Sequence, residues 1–507
     1  MSWDLRNRNK KQQIPVRVSA ELEYNMLFNS YIFIFLFLPL VLAGYYFLNS
    51  IKKYTAAQVL VIGMSCWFYA YFNLSYLLLL GVSVAVNYFF HCRICGERKR
   101  GCLIAGVSFN LLLLCYFKYF DFFTENINAV FGTSFLLRNI MLPLGISFFT
   151  FQQISFLADT YKQEAAKCGL IEYTLFVVFF PQLIAGPIVT HGEMMEQFRA
   201  PERKRPDADL FAKGILLFTM GLAKKVLLAD LLGGAVDWGF GAIEVLDSTN
   251  AIIISVLYTF QLYFDFSGYC DMAKGIGHML HIELPVNFNS PYQSAGIIEF
   301  WKRWHITLGR FFTKYVYIPL GGNRHGKFKT CRNSFIVFFL SGLWHGASWT
   351  FVLWGVMHGI GYIIDYLGRP FLKKLPRPVM VFLTFCFVDL AFVAFRSPDL
   401  GTMCDMYRQI FTGGFGLPMA EIAVFFKGSA WDYLFQVVPC GSVFLVNYLP
   451  YALFLCLAFY LAFIGKNAVE RAERSRFGTL RGLCTAVLFL YCVISLAGVS
   501  SFLYFNF

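Results

Sequence analysis

His345 lies in an apolar run, SGLWHGASWTFVLWGVMHG over residues 341–359, that contains no charged residue. A titratable side chain in such a run is costly in hydrocarbon and marks a functional position by default. A neutral imidazole there can take a proton from a hydroxyl and later return it to a leaving group. A histidine hydrogen-bonded to a helix carbonyl is the other reading, and the residue alone does not separate the two. His305 sits in WKRWHITLGR, residues 301–310, beside Lys302, Arg303 and Arg310. This segment reads either as a headgroup-facing helix anchored by Trp301 and Trp304 or as a polar mouth for an anionic substrate. His358 follows on the same apolar run and reads as a packing residue. Asp265 and Asp271, in YFDFSGYCDMAKG over residues 263–275, could pair on a metal, but hydrogen bonding near the membrane surface is the preferred reading. The CxxC of Cys92 and Cys95 lies in a basic loop without a second ligand pair, and reads as reduced thiols.

The elements that must hold these residues are membrane helices. Of 507 residues 58% are hydrophobic and only 14% are charged, against about 25% charged in soluble domains. The apolar residues fall in many long runs, which read as bilayer-spanning helices rather than barrel strands. The formal net charge of +13 belongs to short loops between those runs, so it points to membrane topology and not to nucleic acid.

Loop charge orders the spans. Lys52 and Lys53, the run 93–100, Lys162 and Lys167, and the run 199–205 are cytoplasmic by the positive-inside rule, with an outer loop over 121–139. Residues 1–25 carry Arg6, Arg8, Lys10, Lys11 and Arg17 on what this topology makes the outer side, so they read as an extension ahead of a start at Met26, with residues 26–507 one membrane domain. Residues 171–190 are long enough to span, but Pro181, Gly186 and Pro187 break them and both flanks are basic, which predicts a re-entrant segment beside an internal cavity. Lys224, Lys225 and Asp230 sit in an apolar run and are expected at a membrane surface or a cavity.

Residues 333–365, basic on both sides, predict a hairpin turning at Gly346, Ala347 and Ser348. From Asn333 to His345 is about 20 Å of helix, short of the roughly 30 Å hydrocarbon thickness, so His345 should lie deep in the protein. Leu400, Met403, Met406, Tyr407, Ile410 and Phe411 recur at helical spacing and predict an amphipathic helix at the outer interface. The whole reads as an all-α polytopic membrane protein of about eleven spans plus re-entrant pieces. The chain shows no internal repeat, which weighs against repeat-built transporters.

The combination of ISFFTFQQISFLADTY (146–161), FFPQLIAGPI (179–188), GLAKKVLLAD (221–230), the 263–275 segment, residues 287–326, LWHGASWTFVLWGVMHG (343–359), AFVAFRSPDL and the ending FLYFNF (502–507) resembles the membrane-bound O-acyltransferases, in particular their bacterial alginate O-acetylation branch. The resemblance covers about residues 26–507. It implies a ring of membrane helices around a central tunnel in a bacterial inner membrane, with His345 as the catalytic histidine and His305 as a second signature histidine. It also implies acetyl-CoA as donor, no bound cofactor, and an extracytoplasmic polysaccharide, or an outer acetyltransferase partner protein, as recipient. The basic residues Lys302, Arg303, Arg310, Lys314 and Arg324 would then draw the anionic donor, and Asn287, Asn289 and Trp344 are expected to line its pocket. D-alanyl transfer to teichoic acid from a carrier protein, long-chain acylation, and acyl export without transfer chemistry are the alternatives.

Overall fold

The computed structural model describes residues 26–427 apart from 98 and 166, and residues 443–474, 478–496, 502 and 503. The polar segment 1–25 and the last four residues of the FLYFNF ending lie outside the described residues.

Four helices open the chain: α1 (Phe33–Ser50), α2 (Tyr54–Ala70), α3 (Leu74–Glu97) and α4 (Arg100–Phe131). On α3, Leu74, Leu78, Val82 and Phe89 are exposed, an apolar face that only a lipid environment tolerates in such number. Gly132 ends α4 in the left-handed conformation that glycine adopts without a Cβ penalty. Gly145, at φ +73°, starts α5 (Ile146–Lys162), and a Cβ there would lie 2.7 Å from the Leu183 carbonyl oxygen. That close approach fixes the outer loop against the broken segment.

The 171–190 segment is broken as its prolines and glycine predict. Helix α6 (Leu170–Val178) stops at Phe179, a single turn covers Phe180–Leu183, and residues 187–190 run without regular structure. Helix α7 (His191–Arg199) then starts with a capping box, in which the Thr190 N–H donates to Glu193 Oε2 at 2.9 Å.

Helix α8 (Ala208–Ala223) passes through a wider π-type turn at Lys224–Ala229 into α9 (Asp230–Gly241). It packs along α10 (Ser248–Met279), which is apolar on every side and buried along most of its length, the pattern of a core helix. The two approach backbone to backbone at paired glycines. A Cβ on Gly268 would meet the Gly221 carbonyl oxygen at 2.8 Å, and one on Gly275 would meet that of Gly214 at 2.7 Å. The charges of this pair of helices differ from expectation. Lys224 and Lys225 are neither at a surface nor alone at a cavity: they are neutralised inside the protein, Lys224 by Asp271 at 2.6 Å and Lys225 by Asp265 at 2.7 Å and Asp230 at 3.0 Å. Pairing offsets part of the cost that would have driven them outward. Among the described residues no group of three or more potential metal ligands occurs.

Two short helices, α11 (Ile297–Trp301) and α12 (Ile306–Phe312), precede the hairpin of α13 (Gly326–His345) and α14 (Trp349–Leu372), which turns at residues 346–348. The hairpin closes tightly where a Cβ on Gly355 would sit 2.6 Å from the Phe338 carbonyl oxygen. Then follow α15 (Arg377–Arg396), α16 (Leu400–Thr412), α17 (Val443–Phe459) and α18 (Thr479–Ile494). On α16, Met403, Met406 and Ile410 are buried while Phe411 stays exposed.

Among the described residues there is no β-strand, and six helices (α1, α3, α4, α10, α14 and α15) are long and apolar enough to cross a membrane. Three shorter apolar helices, Tyr54–Ala70, Tyr448–Ile464 and Thr479–Ile494, accompany them.

Candidate active site

His345 is the last residue of α13. The final carbonyls of a helix have no intrahelical partner, and here α4 supplies partners for three of them. Tyr119 Oη donates to the Leu343 carbonyl, and Lys118 Nζ donates to those of Trp344 at 2.5 Å and His345 at 2.8 Å. The His345 ring is buried among Trp344, Trp354 and Phe395, with centroids at 4.8, 5.0 and 5.1 Å.

The His305 ring also lies against the Trp344 indole, 6.2 Å from it between ring centroids. Its backbone is left-handed, φ +46° and ψ +51°, which costs a non-glycine residue about 1–3 kcal/mol. Neighbouring hydrogen bonds hold the conformation: the Ile306 N–H donates to the Asn287 carbonyl at 3.0 Å, and the Asn289 N–H to that of Arg303 at 2.9 Å. Asn287 Oδ1 accepts from the Thr307 N–H at 3.1 Å and from Thr307 Oγ1 at 2.9 Å, so the oxygen end of the amide is fixed. The same oxygen lies 3.2 Å from His305 Nδ1, which must therefore carry the proton and leave a lone pair on Nε2. Thr307 Oγ1 accepts in turn from the Ile188 N–H at 3.0 Å, tying the broken segment to the histidine.

A cavity of about 780 Å³ opens beside these residues. Its walls include Ile188–Thr190, Trp301, Lys302, residues 306–315 and, on α13, Ser334, Val337, Phe338 and Ser341. These α13 positions form one helical face, and His345 is the next residue on it, one turn beyond Ser341. His345 lines a second, small cavity of about 50 Å³ with Lys118, residues 142–148 and Ile184. His345 thus lines the small cavity itself and lies one turn of α13 beyond the wall of the large one.

The charged residues of the large cavity are distributed unevenly. Lys302 and Arg310 line it, and Arg310 is held by both oxygens of Glu193, at 2.8 and 3.1 Å. Partial burial works to raise the Glu193 carboxyl, but the Thr190 N–H and the Arg310 guanidinium outweigh it and hold the group below the ordinary carboxylate range. Lys314 lines the mouth and is paired with Asp159 at 2.9 Å and Glu164 at 2.6 Å.

Other residues expected at the pocket stand outside its lining. Arg303 pairs with Glu299 at 2.9 Å, and Asn289 Oδ1 accepts from Asn467 Nδ2 at 2.8 Å. Asn287 is hydrogen-bonded to His305, and Trp344 is packed on Phe151 at 5.3 Å. Trp301 and Trp304 turn inward: Trp304 is buried, and Trp301 Nε1 donates to His358 Nδ1 at 3.2 Å, which gives His358 a packing and hydrogen-bonding place. Lys118, Thr307 and Ser341 were not singled out from sequence. Only Lys118 carried a signal, as a charge inside the apolar part of α4.

Comparison with known proteins identifies the family of the chain. The model of the membrane-bound O-acyltransferase family matches residues 144–373, which hold both histidines and the large cavity. The chain is 38% identical to the peptidoglycan O-acetyltransferase of Helicobacter pylori over 519 residues, covering 95% of this chain and 98% of that protein. It is 40% identical over 400 residues to the probable alginate O-acetylase AlgI of Pseudomonas aeruginosa, covering 77% of this chain and 75% of that protein. With the teichoic acid D-alanyltransferase of Streptococcus thermophilus it shares 27% identity over 291 residues, 51% of this chain and 69% of that protein. The chain is a polytopic membrane acyltransferase and belongs to the membrane-bound O-acyltransferase family.

Proposed function

We propose that this protein transfers an acetyl group from cytoplasmic acetyl-CoA, across a bacterial inner membrane, to hydroxyls of an extracytoplasmic polysaccharide, either directly or through an outer partner protein. The observation that supports the reading is that His345 lines the small cavity and lies one turn of α13 beyond the Ser341 wall of the large one. The large cavity has the size of a substrate pocket and presents Lys302 at an otherwise mainly apolar wall, which suits an anionic thioester. Peptidoglycan is the favoured acceptor, because the likeness to the Helicobacter pylori enzyme runs nearly end to end, whereas that to the alginate enzymes stops at about three quarters.

In this reading the acceptor hydroxyl approaches from the small cavity, and the donor enters through the large one with its thioester carbonyl reaching past Ser341 to the small cavity beside His345. His345 takes the hydroxyl proton as the oxygen attacks the carbonyl carbon. The tetrahedral adduct collapses, the C–S bond breaks, and the departing sulfur takes the proton back from His345. His305, oriented by Asn287, presents its Nε2 lone pair to the same region and holds a proton donor of the incoming donor thioester or acceptor in place.

The test is acetyl transfer in reconstituted vesicles with radiolabelled acetyl-CoA on the cytoplasmic side. Wild type should consume the thioester and His345→Ala should lose about 10²–10⁴ of that rate. Equal rates in both would remove His345 from the mechanism. Inactivity of both, with turnover of an aminoacyl carrier protein, would replace the acetyl donor by a D-alanyl one.

A further inference from the structure

Among the described residues Lys225 and Lys274 are buried, and Lys118 and Lys224 half-buried, in helical segments. Lys224 and Lys225 each face a carboxylate. Lys118 does not: among the described residues no Asp or Glu lies within ion-pair distance of its ammonium. Its recorded partners are the Trp344 and His345 carbonyl oxygens and, at 5.9 Å, the face of the Trp344 indole. The partial negative charge at a helix C-terminus amounts to about half an elementary charge, so it compensates the ammonium only in part. Capping two carbonyls needs donors but not a full charge, and Tyr119 next door caps Leu343 with a neutral hydroxyl. A half-buried cation in an apolar helix without its counter-ion breaks a local rule, and such breaks concentrate at functional sites.

The location says what the charge is for. Lys118 lies about 27 Å along α4 from Arg100, on the side away from the cytoplasmic loop. There it lines the small cavity together with His345. An ammonium has three N–H donors, and two are used on carbonyls.

We infer that Lys118 is a catalytic residue whose ammonium, fixed on the end of α13, faces the small cavity beside His345 and stabilises the negative oxygen that forms there during acyl transfer. This rests on the acetyltransferase reading above. As the acceptor oxygen bonds to the thioester carbonyl carbon, its proton passes to His345 and the carbonyl π pair moves onto oxygen. Lys118 balances that charge by Coulomb attraction and hydrogen bonding and transfers no proton. The C=O bond re-forms as the C–S bond breaks, the thiolate leaves with the proton from His345, and the counter-ion of Lys118 disappears again. A preorganised cation in a water-poor site is the arrangement that favours the transition state over the ground state.

The experiment compares full-length wild type, Lys118→Met, Lys118→Arg and Tyr119→Phe in nanodiscs, measuring kcat and KM for acetyl-CoA together with thermal unfolding. Lys118→Met should lose about 10²-fold or more in kcat with donor KM within about threefold. Lys118→Arg should recover at least tenfold of that loss, and Tyr119→Phe, which removes a neutral cap from the same helix end, should stay within about fivefold of wild type. Equal losses in Lys118→Met and Tyr119→Phe would reduce the lysine to a cap and overturn the proposal, as would a Lys118→Met kcat within threefold of wild type. Should Lys118→Met not elute as a monodisperse species, Lys118→Gln, which keeps donors for the carbonyls without the charge, takes its place, and full kcat there overturns the proposal. Turnover in wild type with an unchanged variant ratio sinks the lysine alone. No acetyl-CoA turnover in wild type sinks the donor reading and the role of the lysine with it.

Discussion

Asn287 Oδ1 stands 3.2 Å from His305 Nδ1 while accepting two hydrogen bonds from Thr307, so one asparagine decides which nitrogen of the histidine is protonated. Replacing Asn287 by Asp keeps an acceptor at that point, whereas replacing it by Leu removes the acceptor and strands the Thr307 donors. Asn287→Leu should therefore lower kcat by about 10²-fold, within the range for a misplaced acid–base group, and Asn287→Asp should retain most of it. Steady-state thioester turnover of both variants, with donor KM as the control, checks this. Equal kcat in Asn287→Leu and wild type would mean that the tautomer of His305 is set by something else.

His345 and His305 both contact one indole, Trp344, and should act on one transition state rather than independently. Residues that work as a unit are strongly non-additive. The double variant His305→Ala/His345→Ala should be no slower than about threefold below the worse single variant. A double-mutant cycle on kcat measures it, and multiplied single losses would separate the two histidines mechanistically.

Much of this site was legible in the sequence where backbone chemistry decided the outcome. Pro181, Gly186 and Pro187 broke a segment long enough to span, and Gly346–Ser348 turned the hairpin that places His345. Pairings across long stretches of chain were not legible. Lys118 meets His345 from 227 residues away, and Asn289 is taken up by Asn467 at a separation of 178. Arg303 looked like part of a basic mouth because its neighbours are basic, but Glu299, one helical turn earlier, holds it away from the cavity. Lys224 and Lys225 carried a readable warning, a charge in an apolar run, without naming the aspartates that relieve it.

The α8–α10 crossing depends on glycine. A methyl on Gly268 would lie 2.8 Å from the Gly221 carbonyl oxygen and 3.2 Å from Lys224 Cβ, so the helices must part to admit it. Gly268→Ala should cost about 1–3 kcal/mol and lower the unfolding temperature in detergent by several degrees. It should also loosen the adjoining Lys224–Asp271 pair. Gly63, where a Cβ meets nothing within 4 Å, is the control, and Gly63→Ala should leave the temperature unchanged or slightly raised. Equal behaviour of the two variants would show that the crossing has slack.

Acid should loosen the junction of α6 and α7 through Glu172. Its side chain accepts two hydrogen bonds from Arg199, at 2.8 and 2.6 Å, joining the start of α6 to the end of α7. The Arg199 hydrogen bond holds the Glu172 carboxyl below its ordinary value. A depressed carboxylate contributes stability above its unfolded-state value and loses it as pH falls through the folded one. Glu172→Gln should thus unfold slightly below wild type at pH 7, and the difference should vanish as pH drops below about 4. The pair is partly exposed, so the effect at neutral pH is small. A difference that persists or grows at low pH would reverse the sign and exclude this pair as its source.

Lys302 and Arg310 both line the large cavity, yet they should affect donor binding differently. Arg310 is committed to Glu193 through two hydrogen bonds, so its charge is largely balanced. Lys302 is exposed and has no carboxylate within ion-pair distance among the described residues, so its field is available to an anionic donor. Lys302→Ala should raise the KM for acetyl-CoA several-fold at low ionic strength while leaving kcat within about twofold. The effect should shrink in about 0.5 M salt, as screening shortens the reach of a solvent-exposed charge. Arg310→Ala should change KM less and lower thermal stability more, because it leaves Glu193 without its guanidinium partner. The reverse ranking in KM would assign donor capture to Arg310 and require Glu193 to release it when the thioester arrives.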